Sequence, residues 1–283
     1  MFQKVDDAST LLLRISSFQY KRGHRVDPKS PIQTMKQETD ALKSVWIPRS
    51  ASVKQLILDL IDNGGGNEPM DYYRMLFHKP FFEQYVEFKK TPEIEDDQLR
   101  NSMFWEEKGH ELWFQKQKKD GNWNALKIGQ FSKPTPMFCA DDSHSCGDVA
   151  FYPFEHQFNG KISVMLNDGC VSSCDGVAWM LATRLNAKLY GFYQAADTAY
   201  SRLRIDIIRD DSKSDGFKLN ISPQRANSPT DLIISQDVAV TLSVDENGKV
   251  LSGYPLPLKK FVPIRWDGDY HQDVLKAVLN DKS

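Results

Sequence analysis

"LILDLIDNGGG", residues 56–66, is the stretch on which the fold turns. A short apolar run ends in three consecutive glycines. A strand that is apolar on both faces suits a parallel sheet covered on both sides. Glycines after such a strand leave backbone N–H groups with no side chains in front of them, and N–H groups of that kind can hold the charge that develops on a carbonyl oxygen. A tight turn that needs positive φ explains the same glycines. No Lys-Ser or Lys-Thr follows, so this is not a phosphate-binding Walker A loop.

Upstream, "TLLLRISSF" (10–18) reads as a buried strand and "PIQTMKQETDALKSVW" (31–46) as a helix, with Met35, Thr39, Leu42 and Val45 at helical spacing. Strand, helix and strand in that order predict parallel pairing. Downstream, "KISVMLND" (161–168) and "AKLYGF" (187–192) read as strands on either side of the helix "DGVAWMLATRLN" (175–186). The segments "YSRLRIDIIRD", "FKLNISPQ" and "DVAVTLSVDENGKVL" alternate like antiparallel strands, with Asn247-Gly248 as a turn, and "HQDVLKAVLND" (271–281) is a closing helix. The region 67–160 differs, being rich in aromatics and charges. Its "HELWFQKQKKDGNWNALKIGQF" (110–131) reads as a hairpin turning at Asp120-Gly121, while 132–154 fits no regular element.

Composition limits the function. The 283 residues carry a net charge of −2, which argues against nucleic acid, because phosphate binding needs a basic surface. Forty per cent hydrophobic residues allow a substantial core, yet no run approaches the ~18 apolar residues of a membrane span. The opening "MFQKVDDASTLLLRISSF" has acids where a signal peptide needs a basic region. Because the chain opens almost directly on a strand, the expectation is an enzyme core with a further segment upstream. Cys139, Cys146, Cys170 and Cys174 allow three disulfide pairings, and sequence does not choose among them. Their spacing matches no zinc pattern, so neither metal nor cofactor is expected.

"GCVSSCDG" (169–176) is the second motif. A serine held between a strand end and a helix start is exposed, with the helix dipole behind it. The same residues also read as an ordinary cap, with Ser173 or Cys174 before the helix and Asp175 in its first turn.

Taken together, "LILDLIDNGGG", "VMLNDGCVSSCD" (164–175) and "LYGFY" (189–193) resemble the S41 peptidases, whose members typically carry "LILDLRGNGGG", "VLVN…SASASE" and "VGE". That family includes the C-terminal processing (tail-specific) and tricorn-core proteases. "GKVLSGYPLPL" and "HQDVLKAVL" resemble its later motifs, so the likeness runs roughly from Thr10 to Leu279. It implies an α/β fold, a ClpP/crotonase-like core of stacked ββα units with an inserted mixed subdomain. The core would comprise 1–66 and 161–283, and the aromatic, charged insertion 67–160. The family's nucleophile lies three residues before an acid, which selects Ser172 ahead of Asp175, and the family glycine downstream then falls on Gly191. Gly65, Gly66 and Ser173 would line the oxyanion hole.

The resemblance implies a serine endopeptidase acting on polypeptides, in a periplasmic or secreted setting, and leaves the oligomeric state open. The family's processing branch uses a lysine base, but its position holds Asp197, and Arg202 cannot replace it because guanidinium keeps its proton. The tricorn branch uses histidine and an acid. The candidates are His144, with acids around it, or His24, and Asp231, with Ser252 standing where the later motif has its acid. The alternative class is an inactive peptide- or apolar-ligand-binding module lacking its base, with Phe104, Trp105, Trp113, Phe114 and Trp123 lining a groove.

Overall fold

The computed structural model describes residues 2–4, 9–18, 31–66, 70–95, 108–141, 143–196, 202–223, 229–251 and 253–281. The chain divides into two compact units, one of residues 1–81, 151–198 and 253–283, the other of 82–150 and 199–252.

The first unit contains β1 (Phe2–Lys4), β2 (Thr10–Arg14), helix α1 (Pro31–Ser50), β3 (Gln55–Asp59) and the short α2 (Met70–Arg74). The second unit interrupts it with β4 (Tyr85–Phe88), α3 (Pro92–Glu95), α4 (Lys108–Lys119) and β5 (Thr135–Pro136). The first unit resumes with β6 (Lys161–Leu166), α5 (Ser173–Arg184) and β7 (Lys188–Gly191). Strands β8 (Arg202–Arg209), β9 (Phe217–Pro223), β10 (Leu232–Ala239) and β11 (Thr241–Val244) belong to the second unit, and β12 (Lys260–Phe261) and α6 (Tyr270–Leu279) complete the first.

The first unit is built on a six-stranded sheet, ordered β1-β2-β3-β6-β7-β12. Only β1 runs antiparallel to its neighbour. The central strands are apolar on both faces because both faces are covered: Leu56, Ile57, Leu58, Val164, Met165 and Leu166 are all buried. On one face α6 packs Val274, Ala277 and Val278 against Leu12, Ile57, Met165 and Tyr190. Each such larger side chain contributes roughly 1.5–3 kcal/mol relative to exposure. Asp269 caps α6, its carboxylate accepting from Gln272 N. Elsewhere in the unit Trp46, at the C-terminal end of α1, is fully buried. It stacks edge-on to Phe158 and donates its indole N–H to Met75 O at 2.8 Å.

Beside Trp46 lies a histidine pair. His156 donates Nε2–H to Phe77 O at 3.0 Å and accepts Phe158 N–H at Nδ1. Its ring is 4.7 Å from that of His78. Burial, chiefly, pushes its pKa below the ordinary histidine value, with the His78 charge acting in the same direction. A depressed histidine pKa means the unfolded chain takes up the proton first as pH falls. Stability is therefore fully present above about pH 6.5 and declines as the pH drops through it. The expected result is a fall in Tm between pH 7.5 and 5.5 that is smaller in His156→Gln. Parallel pH curves for the two proteins would contradict the assignment.

The second unit holds two three-stranded antiparallel sheets, β10-β8-β9 and β11-β4-β5. The alternating segments after residue 200 thus form the antiparallel strands expected, and Asn247-Gly248 turns between Val244 and Val250.

The hairpin expected at 110–131 is instead helix α4 followed by turns. His110, Trp113 and Phe114 recur at helical spacing and are buried together, which outweighs the Asp-Gly turn signal. Gly121, at φ 74°, follows the helix end in the left-handed conformation that stops a helix. Trp113, Phe114 and Trp123 are core, with Trp113 against Phe88 and Phe114 against Trp123. Trp123 also lines a pocket with Asp120, Phe131 and Pro134, whereas Trp113 and Phe114 do not. Phe104 and Trp105 lie outside the described residues.

Candidate active site

Strands β3 and β6 are parallel neighbours, so their C-terminal ends deliver two loops to the same edge of the sheet. Each loop is organised by an asparagine that accepts a backbone N–H two residues on. Asn63 Oδ1 accepts from Gly65 N at 2.9 Å, and Asn167 Oδ1 from Gly169 N at 3.2 Å. Asn63 is wholly buried and also donates Nδ2–H to Ile15 O at 2.8 Å, tying in the segment after β2. Its own carbonyl accepts from Val171 N. Asn167 reaches the other way, donating to Asp62 Oδ1 at 2.7 Å and accepting from Asp62 N. Three chain segments are thereby fixed to one another by buried polar groups, each costly to leave unpaired.

Against this frame sits the turn into α5. Gly65, at φ 78°, lies so close to it that a Cβ there would stand 2.5 Å from Val171 O, 2.9 Å from Ser172 Cβ and 3.0 Å from Ser173 N. Ser173 donates its hydroxyl to Gly66 O at 2.9 Å. Ser172 occupies the N-cap position of α5 with φ 59° and ψ −121°, and its side chain makes no capping bond. It is exposed. A positive φ is uncommon for any residue with a Cβ, and such strained residues cluster at functional sites. A cap would have its hydroxyl turned onto the helix N–H groups. Ser172 instead combines a positive φ at the strand-to-helix turn with solvent exposure. The capping alternative, in which Ser173 or Cys174 precedes the helix, therefore does not describe this turn.

The cysteines pair as Cys139–Cys146 and Cys170–Cys174. The second bridge brackets Ser172. His110, Cys139 and Cys146 lie within 4.8 Å of one another, the only metal-ligand cluster among the described residues, but the two sulfurs are joined to each other and offer no thiolate.

The expected site residues are divided between the two units. Ser172, Ser173, Gly65 and Gly66 come together in the first unit. The Gly65 N–H is already held by Asn63 Oδ1. His144 and Asp231 belong to the second unit. The carboxylate against His144 is Asp141, at 2.9 Å from Nδ1, rather than Asp231. Three residues of separation within one turn favour Asp141. The Ser143 hydroxyl and backbone N–H, with His144, hold the Asp141 carboxyl down to about 2. Asp231, just before β10, accepts Arg209 N–H on its backbone carbonyl. His24, Asp197 and Ser252 lie outside the described residues. Among the described residues no side chain hydrogen-bonds Ser172 Oγ.

One polar group went unread in the sequence. Buried Asp59, ending β3, accepts from His271 Nδ1 at 3.0 Å, and His271 Nε2 meets Arg14 Nη2 at 3.2 Å. Arginine can only donate, so Nε2 is the acceptor and Nδ1 carries the proton. That leaves this imidazole tethering α6 to the sheet rather than holding a lone pair for chemistry.

The first unit thus sets a serine turn against a glycine loop at one edge of a parallel α/β sheet. The sequence model of peptidase family S41 matches residues 9–239, and the chain belongs to that family. Mature CPAF complexed with lactacystin superposes with a TM-score of 0.57 at 15% identity, over 96% of this chain and 50% of that one. A CPAF point mutant gives 0.58 at 16% identity, over 100% and 54%. At that identity the likeness is one of fold, and this chain spans about half the length of the CPAF structures it matches. A search of curated protein sequences finds no match. No described helix is long and apolar enough to cross a membrane.

Proposed function

We propose that this chain is the core of a serine endopeptidase with Ser172 as nucleophile. The observation that carries the reading is the exposed, uncapping Ser172 at φ 59° in the turn from sheet to helix. Its Oγ attacks the scissile carbonyl of an extended polypeptide, giving up its proton to a base. The Gly66 and Ser173 N–H groups hold the oxyanion, an arrangement that typically contributes about 3–4 kcal/mol per donor. Gly65 joins them only by exchanging its bond to Asn63. Collapse expels the amine, which takes the proton back, and water then hydrolyses the acyl-enzyme. The repeat of strand, helix and strand in β2-α1-β3 and β6-α5-β7 supports a ClpP/crotonase-like core of stacked units. Two disulfides support an oxidising, extracytoplasmic setting.

A fluorophosphonate probe should label Ser172, and Ser172→Ala should remove the label. Undiminished labelling of the alanine variant would sink the assignment.

A second reading, a peptide-binding module without turnover, draws on one observation: among the described residues no side chain hydrogen-bonds Ser172 Oγ. A serine without a base is a poor nucleophile. Under that reading folded protein binds casein peptides, leaves them intact and takes no probe.

A further inference from the structure

We infer that the Cys170–Cys174 disulfide is a positioning element for Ser172, holding residue 172 in a backbone conformation it would otherwise leave. Its catalytic consequence rests on the reading of Ser172 as nucleophile; its structural part does not.

Ser172 needs a restraint. A side chain at φ 59° and ψ −121° persists only where the surroundings over-determine it. Most of the local contacts do not supply that. The Gly65 backbone limits how closely the turn can approach, which pushes rather than pulls, and the Ser173 hydroxyl contributes a single bond to Gly66 O. The covalent tie is different. Cys170 and Cys174 are fully buried, their Cα atoms 5.2 Å apart with Ser172 midway along the loop between them. Cys170 is itself fixed, donating N–H to Asn167 O at 3.0 Å and accepting Ala195 N–H at 3.1 Å. Cys174 N–H bonds Val171 O inside the same loop. The bridge therefore anchors both ends of the turn to the loop that Asn167 organises and to the first turn of α5.

Loop length says what such a bridge is for. Cross-links that close short loops restrict the unfolded chain least. A bridge across four residues of sequence thus acts mainly on local geometry. Burial says how it acts: a dithiol reductant, which would become a disulfide as it released two thiols, reaches these sulfurs only after the turn opens. The bridge is a fixed brace rather than a switch. Cys139–Cys146 offers an internal comparison, since no left-handed non-glycine residue lies between those cysteines among the described ones.

The test is a cycle of Ser172→Gly with the pair Cys170→Ser and Cys174→Ser. Glycine accepts positive φ without strain, while its extra freedom in the unfolded chain is the same in both backgrounds and cancels. If the bridge holds the strained conformation, Ser172→Gly should be more favourable in the bridged protein by about 2–6 °C in Tm. Equal shifts in both backgrounds overturn the inference. In the activity arm, fluorophosphonate labelling should slow at least tenfold without the bridge and stay unchanged in Cys139→Ser/Cys146→Ser. If wild type takes no label, the nucleophile reading fails and the Tm cycle alone decides the brace. If it labels, and does so equally fast without the bridge, the brace fails and the nucleophile stands. Should the serine pair not fold, wild type still decides. Digestion without reductant should yield a peptide cross-linked between residues 170 and 174, and alkylatable thiols there in unfolded, unreduced protein overturn the inference.

Discussion

Gly65→Ala should leave a folded protein whose Ser172 reacts with a fluorophosphonate at least about a hundredfold more slowly. Two effects add. Alanine at φ 78° pays the left-handed penalty of about 1–2 kcal/mol. Its methyl carbon would also stand 2.5 Å from Val171 O and within 3.0 Å of Ser172 Cβ and Ser173 N. Two of those three neighbours are backbone atoms, so no side chain can swing away, and relief comes only by moving the turn. Overpacking of this sort costs a further 1–3 kcal/mol or so. A displacement near 1 Å at a reacting group is enough for roughly a hundredfold in rate. The sheet beneath is untouched, so Tm should fall by several degrees rather than collapse. The check is the second-order labelling constant beside a melting curve. Wild-type labelling in a folded Gly65→Ala protein would show that the turn does not hold the nucleophile. Gly64 is the matched control, since a Cβ there meets nothing within 4 Å.

Gly191→Ala should do something quite different and unfold the first unit. Gly191 ends β7 at φ 120°, in register with Leu166 of β6. An added Cβ would collide with Leu166 O, and it would also lie 2.8 Å from the Tyr270 hydroxyl. That carbonyl accepts two bonds, from Phe192 N and from Tyr270 OH. Gly191 O in turn accepts from Val262 N at the neighbouring strand. One methyl group thus disturbs β6, β7, the residue after β12 and α6 together. Each buried group left unsatisfied costs about 1–3 kcal/mol, before the backbone strain is counted. The sum is on the order of 4–6 kcal/mol, in the range reserved for exceptional substitutions. Expressed protein should be largely insoluble, or melt some 10–20 °C lower. A soluble Gly191→Ala protein melting within 3 °C or so of wild type would contradict the packing described here.

These two glycines also mark how far the sequence could be read. The central strands announced themselves because residues covered on both faces must be apolar throughout, as Leu56–Leu58 and Val164–Leu166 are. Helix α6 was equally plain, with Val274, Ala277 and Val278 on one face. Helix α4 was misread because Asp120-Gly121 signals a hairpin and a helix stop equally well, and only the burial of His110, Trp113 and Phe114 decides between them. At the candidate site the two loops were legible as motifs and their conformation was not. Nothing in "VSSCDG" states that the first serine has φ 59° and the second bonds Gly66. The two asparagines could have been found. "N-G-G" and "N-D-G" each follow an apolar strand, and an asparagine two residues before a glycine is an Asx-turn signal. The pairing of cysteines could not, since both bridges close short loops whose local backbone geometry the sequence does not state. The tether Asp59–His271–Arg14 spans most of the chain and leaves no local trace.

Asn63 has a temporal consequence. It joins the segment after β2 to its own loop and to Val171, more than a hundred residues further on. Ribosomes add about 5–20 residues per second. Several seconds at least therefore pass between the emergence of Gly66 and that of Ser172. The glycine loop spends that interval with no serine turn to face, and β3 waits for β6. The serine turn cannot meet the glycine loop on the nascent chain until both have paired, so the candidate site comes together only after the chain's own first half has been committed to the sheet.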